Sequence, residues 1–139
     1  MKKVIALWGC SNVGKSSTIK QVCELLLAKY PKTKKEHGIF RVDIRVVLII
    51  NGVKVGIESQ GDPGSRLSES LSLFAKMGCK VIVCATRTKG QTVDAVNKLK
   101  PNYEVIWREQ IATKSANWES NNLEMAKWIV KKVENIIQA

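Results

Sequence analysis

The stretch Gly9-Cys-Ser-Asn-Val-Gly-Lys-Ser16 stands between an apolar run, Val4 to Trp8, and a segment with helical spacing, Ser16 to Ala28. That placement leaves few folds open. A short apolar run ending at glycine reads as a buried strand, and Ile19, Val22 and Leu25 to Leu27 supply the stripe of a helix that stops near Tyr30 and Pro31. The octapeptide is therefore a tight strand-to-helix turn. Gly9 and Gly14 let the backbone curl until the N–H groups of Cys10, Ser11, Asn12, Val13 and Gly14 point inward, forming a nest for an anion. The helix that follows adds unsatisfied N–H groups and the positive end of its dipole, so a phosphate would rest where the chain is already electropositive.

Lys15 and Ser16 complete this chemistry. The lysine ammonium is a mobile point charge for β- and γ-phosphates, the Ser16 hydroxyl is a ligand for a magnesium ion bridging them, and Ser17 is placed to touch an α-phosphate. Through this Gly-x-x-x-x-Gly-Lys-Ser loop the chain resembles the P-loop NTPase superfamily, specifically over its first turn and helix and topologically beyond them. The resemblance implies a nucleoside triphosphate as substrate, Mg2+ as cofactor and hydrolysis of the terminal phosphate.

The 139 residues suit one domain, 1–139, and the 25% charged and 45% hydrophobic residues are ordinary for a globular chain. The longest apolar stretch, Val46 to Ile50, is far too short for a membrane span, and the N-terminus lacks a signal-peptide pattern. A cytoplasmic protein without a membrane partner is expected. Cys10, Cys23, Cys79 and Cys84 show no CxxC spacing and the lone histidine, His37, offers no zinc set, so reduced, mostly buried thiols are expected. Cys10 differs because it lies in the electropositive loop, where a thiol becomes sensitive to oxidation. The net charge of +11 is spread from Lys29 to Lys132 and admits two readings. It is either a solvated, solubilising surface or a face for a polyanionic partner, an acidic protein or nucleic acid.

Phe40 to Ile50 and Val53 to Glu58 are β-rich runs separated by Asn51-Gly52, the dipeptide of a type I′ turn, and predict an antiparallel hairpin. Pro31 to Gly38, basic and polar, reads as a loop before them. Two residues cannot make a parallel crossover, so the hairpin resembles the GTPase-like branch rather than small-molecule kinases. Arg66 to Met77, Gln91 to Leu99 and Glu119 to Gln138 read as helices, and Lys80 to Ala85 and Tyr103 to Trp107 as strands. The alternation predicts an α/β fold: a three-layer α/β/α P-loop sandwich with a five-stranded, mostly parallel sheet, one antiparallel edge strand and the order 2-3-1-4-5.

Ligands of such sheets lie beyond the carboxyl ends of the strands, which nominates two segments. In Glu58-Ser-Gln-Gly61-Asp62-Pro-Gly64, Glu58 and Asp62 compete for the magnesium shell and for orienting or deprotonating the nucleophile, with Asp62 preferred for the metal; Gln60 is placed to position water. Asp-Pro-Gly is equally a plain turn. In Thr86-Arg87-Thr88-Lys89-Gly90, Arg87 would stabilise charge on the transferred phosphoryl group or bind an anionic co-substrate. Thr33 would join the magnesium shell only if the GTPase likeness extended to it. The Asn-Lys-x-Asp guanine signature is absent, so ATP is expected over GTP. Two alternatives stand beside hydrolysis: a small-molecule kinase with Arg87 and Lys89 at the acceptor, and a nucleotide-gated binding module.

Overall fold

The computed structural model describes residues 2–10, 13–111 and 118–138. Ser11 and Asn12 of the glycine-flanked loop lie outside the described residues. In chain order the elements are β1 (Lys3–Trp8), α1 (Lys15–Lys29), β2 (Lys34–Phe40), β3 (Ile44–Ile50), β4 (Val53–Glu58), α2 (Leu67–Lys76), β5 (Val81–Thr86), α3 (Gln91–Asn97), β6 (Glu104–Glu109) and α4 (Trp118–Ile137).

Period-two alternation in the central strands builds two cores on one sheet. Ile5 and Leu7 of β1 and Val81 and Val83 of β5 face α1 and α4, whose Ile19, Val22, Leu26, Ile129 and Val133 cover them. Their neighbours Val4, Ala6, Ile82 and Cys84 face the other way, onto Leu67, Leu71 and Phe74 of α2 and Val96 of α3. Helices thus cover both faces of a mixed α/β sheet.

The hairpin forms as its turn chemistry requires. Asn51 and Gly52 both take positive φ, 51° and 81°, and Ile50 pairs with Val53. The sheet around it departs from expectation in three ways. It has six strands, not five, in the order β2-β3-β4-β5-β1-β6. The additional strand, β2, falls on the segment read as a loop; it pairs antiparallel with β3 from Lys34↔Ile49 to Phe40↔Ile44, with an irregularity between Glu36 and Ile39. All its residues but one are exposed, so backbone pairing alone makes it a strand and no hydrophobic alternation announces it. The antiparallel member of the original five, β3, is therefore an interior strand, not an edge.

The third departure concerns β1. The expected order puts β1 next to the hairpin strand β4, but β5 stands between them, parallel to both. Burial patterns mark β1 and β5 alike as central and leave their order open; the α2 crossover delivers β5 directly beside β4 instead. Among the described residues no helix is long and apolar enough to cross a membrane.

Candidate functional site

The loop after β1 is shaped by close approach. A Cβ on Gly9 would lie 2.4 Å from the Gln110 carbonyl oxygen, so no side chain fits there. Gly14, at φ 93°, is the N-cap of α1 in the left-handed conformation that glycine adopts without strain. The first turn of α1 carries no acidic residue and no side-chain cap, and Ser17 is exposed at its start. Its leading N–H groups are suited to an external anion.

Lys15 is 8% exposed, and its ammonium donates to the carbonyls of Gly9, at 2.7 Å, and Cys10. Burial, and next the Arg87 guanidinium, hold its pKa below the ordinary lysine value against the opposing pull of Asp62 and the Cys10 thiol. Cys10 itself is exposed, whereas burial pushes Cys84 up to about 12 and Cys23 and Cys79 up to about 11, leaving these three thiols unreactive.

A buried amide brace stands behind the loop. Gln110 follows β6 and is 1% exposed; its Nε2 donates to the Val13 carbonyl at 2.8 Å and to Asn122 Oδ1 at 2.7 Å, while its Oε1 accepts the Thr18 hydroxyl at 2.9 Å. Sequence reasoning missed Gln110 and Asn122. Gln110 had a usable signal, its place at the carboxyl end of a strand; Asn122, within α4, had none.

The acids are distributed in a way the sequence did not indicate. Ser16 Oγ donates to Asp43 Oδ1 at 2.7 Å, and the same oxygen accepts the Ser59 hydroxyl at 3.0 Å. Ser59 in turn accepts the N–H of Ile44 at 2.8 Å, which fixes the turn between β2 and β3 over the start of α1. Asp43 was overlooked because it falls within Phe40 to Ile50, read as one unbroken strand, which the fold interrupts with the turn between β2 and β3.

Glu58, by contrast, is fully buried and engaged elsewhere. Its Oε1 accepts Arg66 Nε at 2.7 Å and the Ser70 hydroxyl at 2.6 Å, and its Oε2 accepts Arg66 Nη2 and the Gln60 N–H, both at 3.1 Å. Gln60 Oε1 accepts the Arg66 N–H, so Gln60 and Glu58 together tie down the start of α2. Asp62 and Arg87 are brought together beside Lys15, with Arg87 Nε 3.0 Å and Nη2 2.9 Å from Asp62 Oδ1. Thr33 lies just before β2, whose first residue pairs with Ile49, at the end of the sheet opposite the loop.

Lys15, Ser16, Asp43, Ser59 and Asp62 line one cleft of about 380 Å³, with Trp118 of α4 on its wall. Glu58 does not line it. Comparison of the chain with protein-family models, with curated proteins and with solved structures gave no match. The geometry of this cleft therefore carries the functional reading.

Proposed function

We propose that this protein binds a magnesium–nucleoside triphosphate, ATP in preference to GTP, in the cleft at the start of α1 and cleaves its terminal phosphate. The observation that carries this is the Ser16–Asp43 hydrogen bond of 2.7 Å beside Lys15, in a loop whose glycines leave the helix N-terminus open. A hydroxyl held by a carboxylate next to a buried ammonium at an anion-accepting helix start is the arrangement a magnesium-bridged polyphosphate needs.

The donor set fits the metal. Ser16, Asp43 and Ser59 present only oxygen atoms, which suits a hard cation. Among the described residues there is no cluster of three or more His, Cys, Asp or Glu side chains, and a magnesium ion that keeps phosphate and water oxygens in its shell requires none. Bound there, it would neutralise charge on the β- and γ-phosphates. In this reading Asp43 takes the metal-supporting role assigned from sequence to Asp62 and Glu58, and Glu58 becomes a structural anchor. Asp62 is left to accept a proton from the attacking nucleophile, and Arg87, clamped to it, to meet charge developing on the phosphoryl group. The preference for ATP rests on the missing guanine signature; the position of β5 between β1 and β4 withdraws the topological support for a GTPase-like assignment.

Thermal unfolding with ATP and GTP, each with and without Mg2+, tests the reading, because a ligand of the folded state raises stability by mass action. The expected result is a rise in Tm with Mg-ATP exceeding that with Mg-GTP, and a phosphate release that Lys15→Ala abolishes. No shift with any nucleotide, or release unaffected by Lys15→Ala, overturns it.

A further inference from the structure

A second hollow, of about 470 Å³, opens between the turn that holds Asp62, the start of α2 and one side of α3. Leu67 and Ala95 give it an apolar floor, Ser68 and Gln91 supply neutral hydrogen-bonding groups, and Asp94 and Lys98 place one charge of each sign on its rim. Among the described residues, Asp62 alone lines both this hollow and the cleft that contains Lys15 and Ser16.

The Asp62 side chain is 71% exposed at this junction. Both Arg87 contacts, from Nε at 3.0 Å and Nη2 at 2.9 Å, fall on Oδ1, so Oδ2 stays outside that clamp. The Arg87 main chain is anchored from the side of the hollow, since its backbone N–H donates to the Thr92 hydroxyl at 2.9 Å. Among the described residues the carboxylate is thus held through one oxygen, which leaves the other to act.

Hydrolysis requires only a water molecule, which reaches an open cleft unaided. A separate hollow meeting the same carboxylate has the dimensions of a small-molecule site, such sites running about 300–1,000 Å³. We propose, building on the nucleotide reading above, that this hollow takes an acceptor for the terminal phosphate: a polyhydroxylated small molecule, either a sugar or the sugar of a nucleoside. Its neutral polar lining suits hydroxyl groups, and Leu67 and Ala95 suit the apolar face of a sugar ring or base.

The step balances. The acceptor hydroxyl oxygen forms a bond to the γ-phosphorus as the bond between that phosphorus and the β,γ-bridging oxygen breaks. The hydroxyl proton passes to Asp62 Oδ2, and the nucleoside diphosphate departs with the electron pair of the broken bond.

The experiment follows nucleoside diphosphate and inorganic phosphate in parallel, with Mg-ATP and D-ribose, D-glucose, thymidine or adenosine, and identifies the products by 31P NMR. One arm is expected to accelerate diphosphate formation with no matching rise in inorganic phosphate and to yield a phosphomonoester; the sugar and nucleoside arms separate the two acceptor sources. Asp62→Asn should lower transfer by about 100-fold or more, the usual scale for a general base. Ser68→Leu, which narrows the hollow from an exposed position on α2, should abolish transfer while leaving the Mg-ATP thermal shift and the basal phosphate release unchanged. A Mg-ATP thermal shift with no acceleration in any arm, or transfer undiminished by Ser68→Leu, overturns the acceptor assignment alone. Absence of the thermal shift in the unsubstituted protein overturns the nucleotide reading beneath it.

Discussion

Ser16 and Asp43, 27 positions apart in the chain, share a hydrogen bond of 2.7 Å from the serine hydroxyl to Oδ1 of the aspartate. It joins the first turn of α1 to the turn between β2 and β3, and through Ser59 to the end of β4. Asp43→Ala should weaken Mg-ATP binding by at least about 10-fold, since hydrogen bonds to charged groups are worth about 1.5–3 kcal/mol. Calorimetric titration with and without Mg2+ checks it: the loss should appear with the metal and be small without it. Equal losses in both conditions would reduce Asp43 to a scaffold residue.

Glu58 should behave in the opposite manner. Its carboxylate is buried with Arg66 and Ser70, and removing one partner of a buried ion pair costs about 3–5 kcal/mol. Because the Arg66 side chain is 21% exposed, Glu58→Ala should lie near the low end of that range, about 3 kcal/mol in urea unfolding. The Mg-ATP thermal shift should persist in the folded variant.

Lys15 is a charge held where burial disfavours it. Its folded pKa is below the ordinary value of 10.5, so the unfolded chain binds the proton more tightly and stability rises with pH as it passes through the folded pKa toward 10.5. Lys15→Met should therefore unfold at higher temperature than the unsubstituted protein at neutral pH, with the difference shrinking as the pH approaches 10.5, while nucleotide binding is lost. Paired melting curves across that alkaline window give the answer, and a gap that widened with pH would contradict the burial argument.

Gln110→Ala removes the brace behind the loop. It strips partners from Val13, Thr18 and Asn122 at a site that is 1% exposed, and a buried polar group left unsatisfied costs about 1–3 kcal/mol. A stability loss of about 2–3 kcal/mol is expected, accompanied by weaker nucleotide binding because the loop backbone is no longer held. Chemical denaturation and nucleotide titration on the same variant measure both.

The far ends of α1 and α4 are tied through Glu134, which accepts the Tyr30 hydroxyl at 2.6 Å and the Lys29 ammonium at 2.9 Å. Burial alone would raise the Glu134 pKa, but the two hydrogen bonds and the Lys29 charge together outweigh it and hold the group below its ordinary value of 4.5. The stabilisation is present above pH 4.5 and is lost as the pH falls through the depressed folded value. Glu134→Gln should be less stable than the unsubstituted protein at neutral pH and converge with it in acid. Acid titrations monitored by circular dichroism compare the two.

Where side chains declare their surroundings, the sequence was readable. The strand before Gly9, the helix after Gly14, the Asn51-Gly52 turn and the stripe of α4 each carry a periodicity or a backbone requirement that only one local structure meets. β2 gave no such sign, since its residues face solvent on both sides and only the pairing with β3 makes it a strand. Arg87 and Asp62 were both nominated from strand ends, and the fold brings them into contact. In the proposed reading Asp43 takes the metal-side place that the sequence pattern offered to Glu58 and Asp62: those two stand at the spacing a known pattern suggests, while Asp43 reaches Ser16 only because two turns converge in space.

The tight turn between a buried strand and a helix start was legible from neighbours in the chain, because Gly9, Gly14, Lys15 and Ser16 lie within one local segment. Which carboxylate lies against Ser16 depends instead on tertiary contacts. Glu58 is drawn inward by Arg66 and Ser70, and Asp43 is delivered to Ser16 by a strand that no pattern revealed. Local conformation is encoded by neighbours in the chain, whereas the pairing of acids with partners depends on which strands lie side by side, and here β5 beside β4 settled that order.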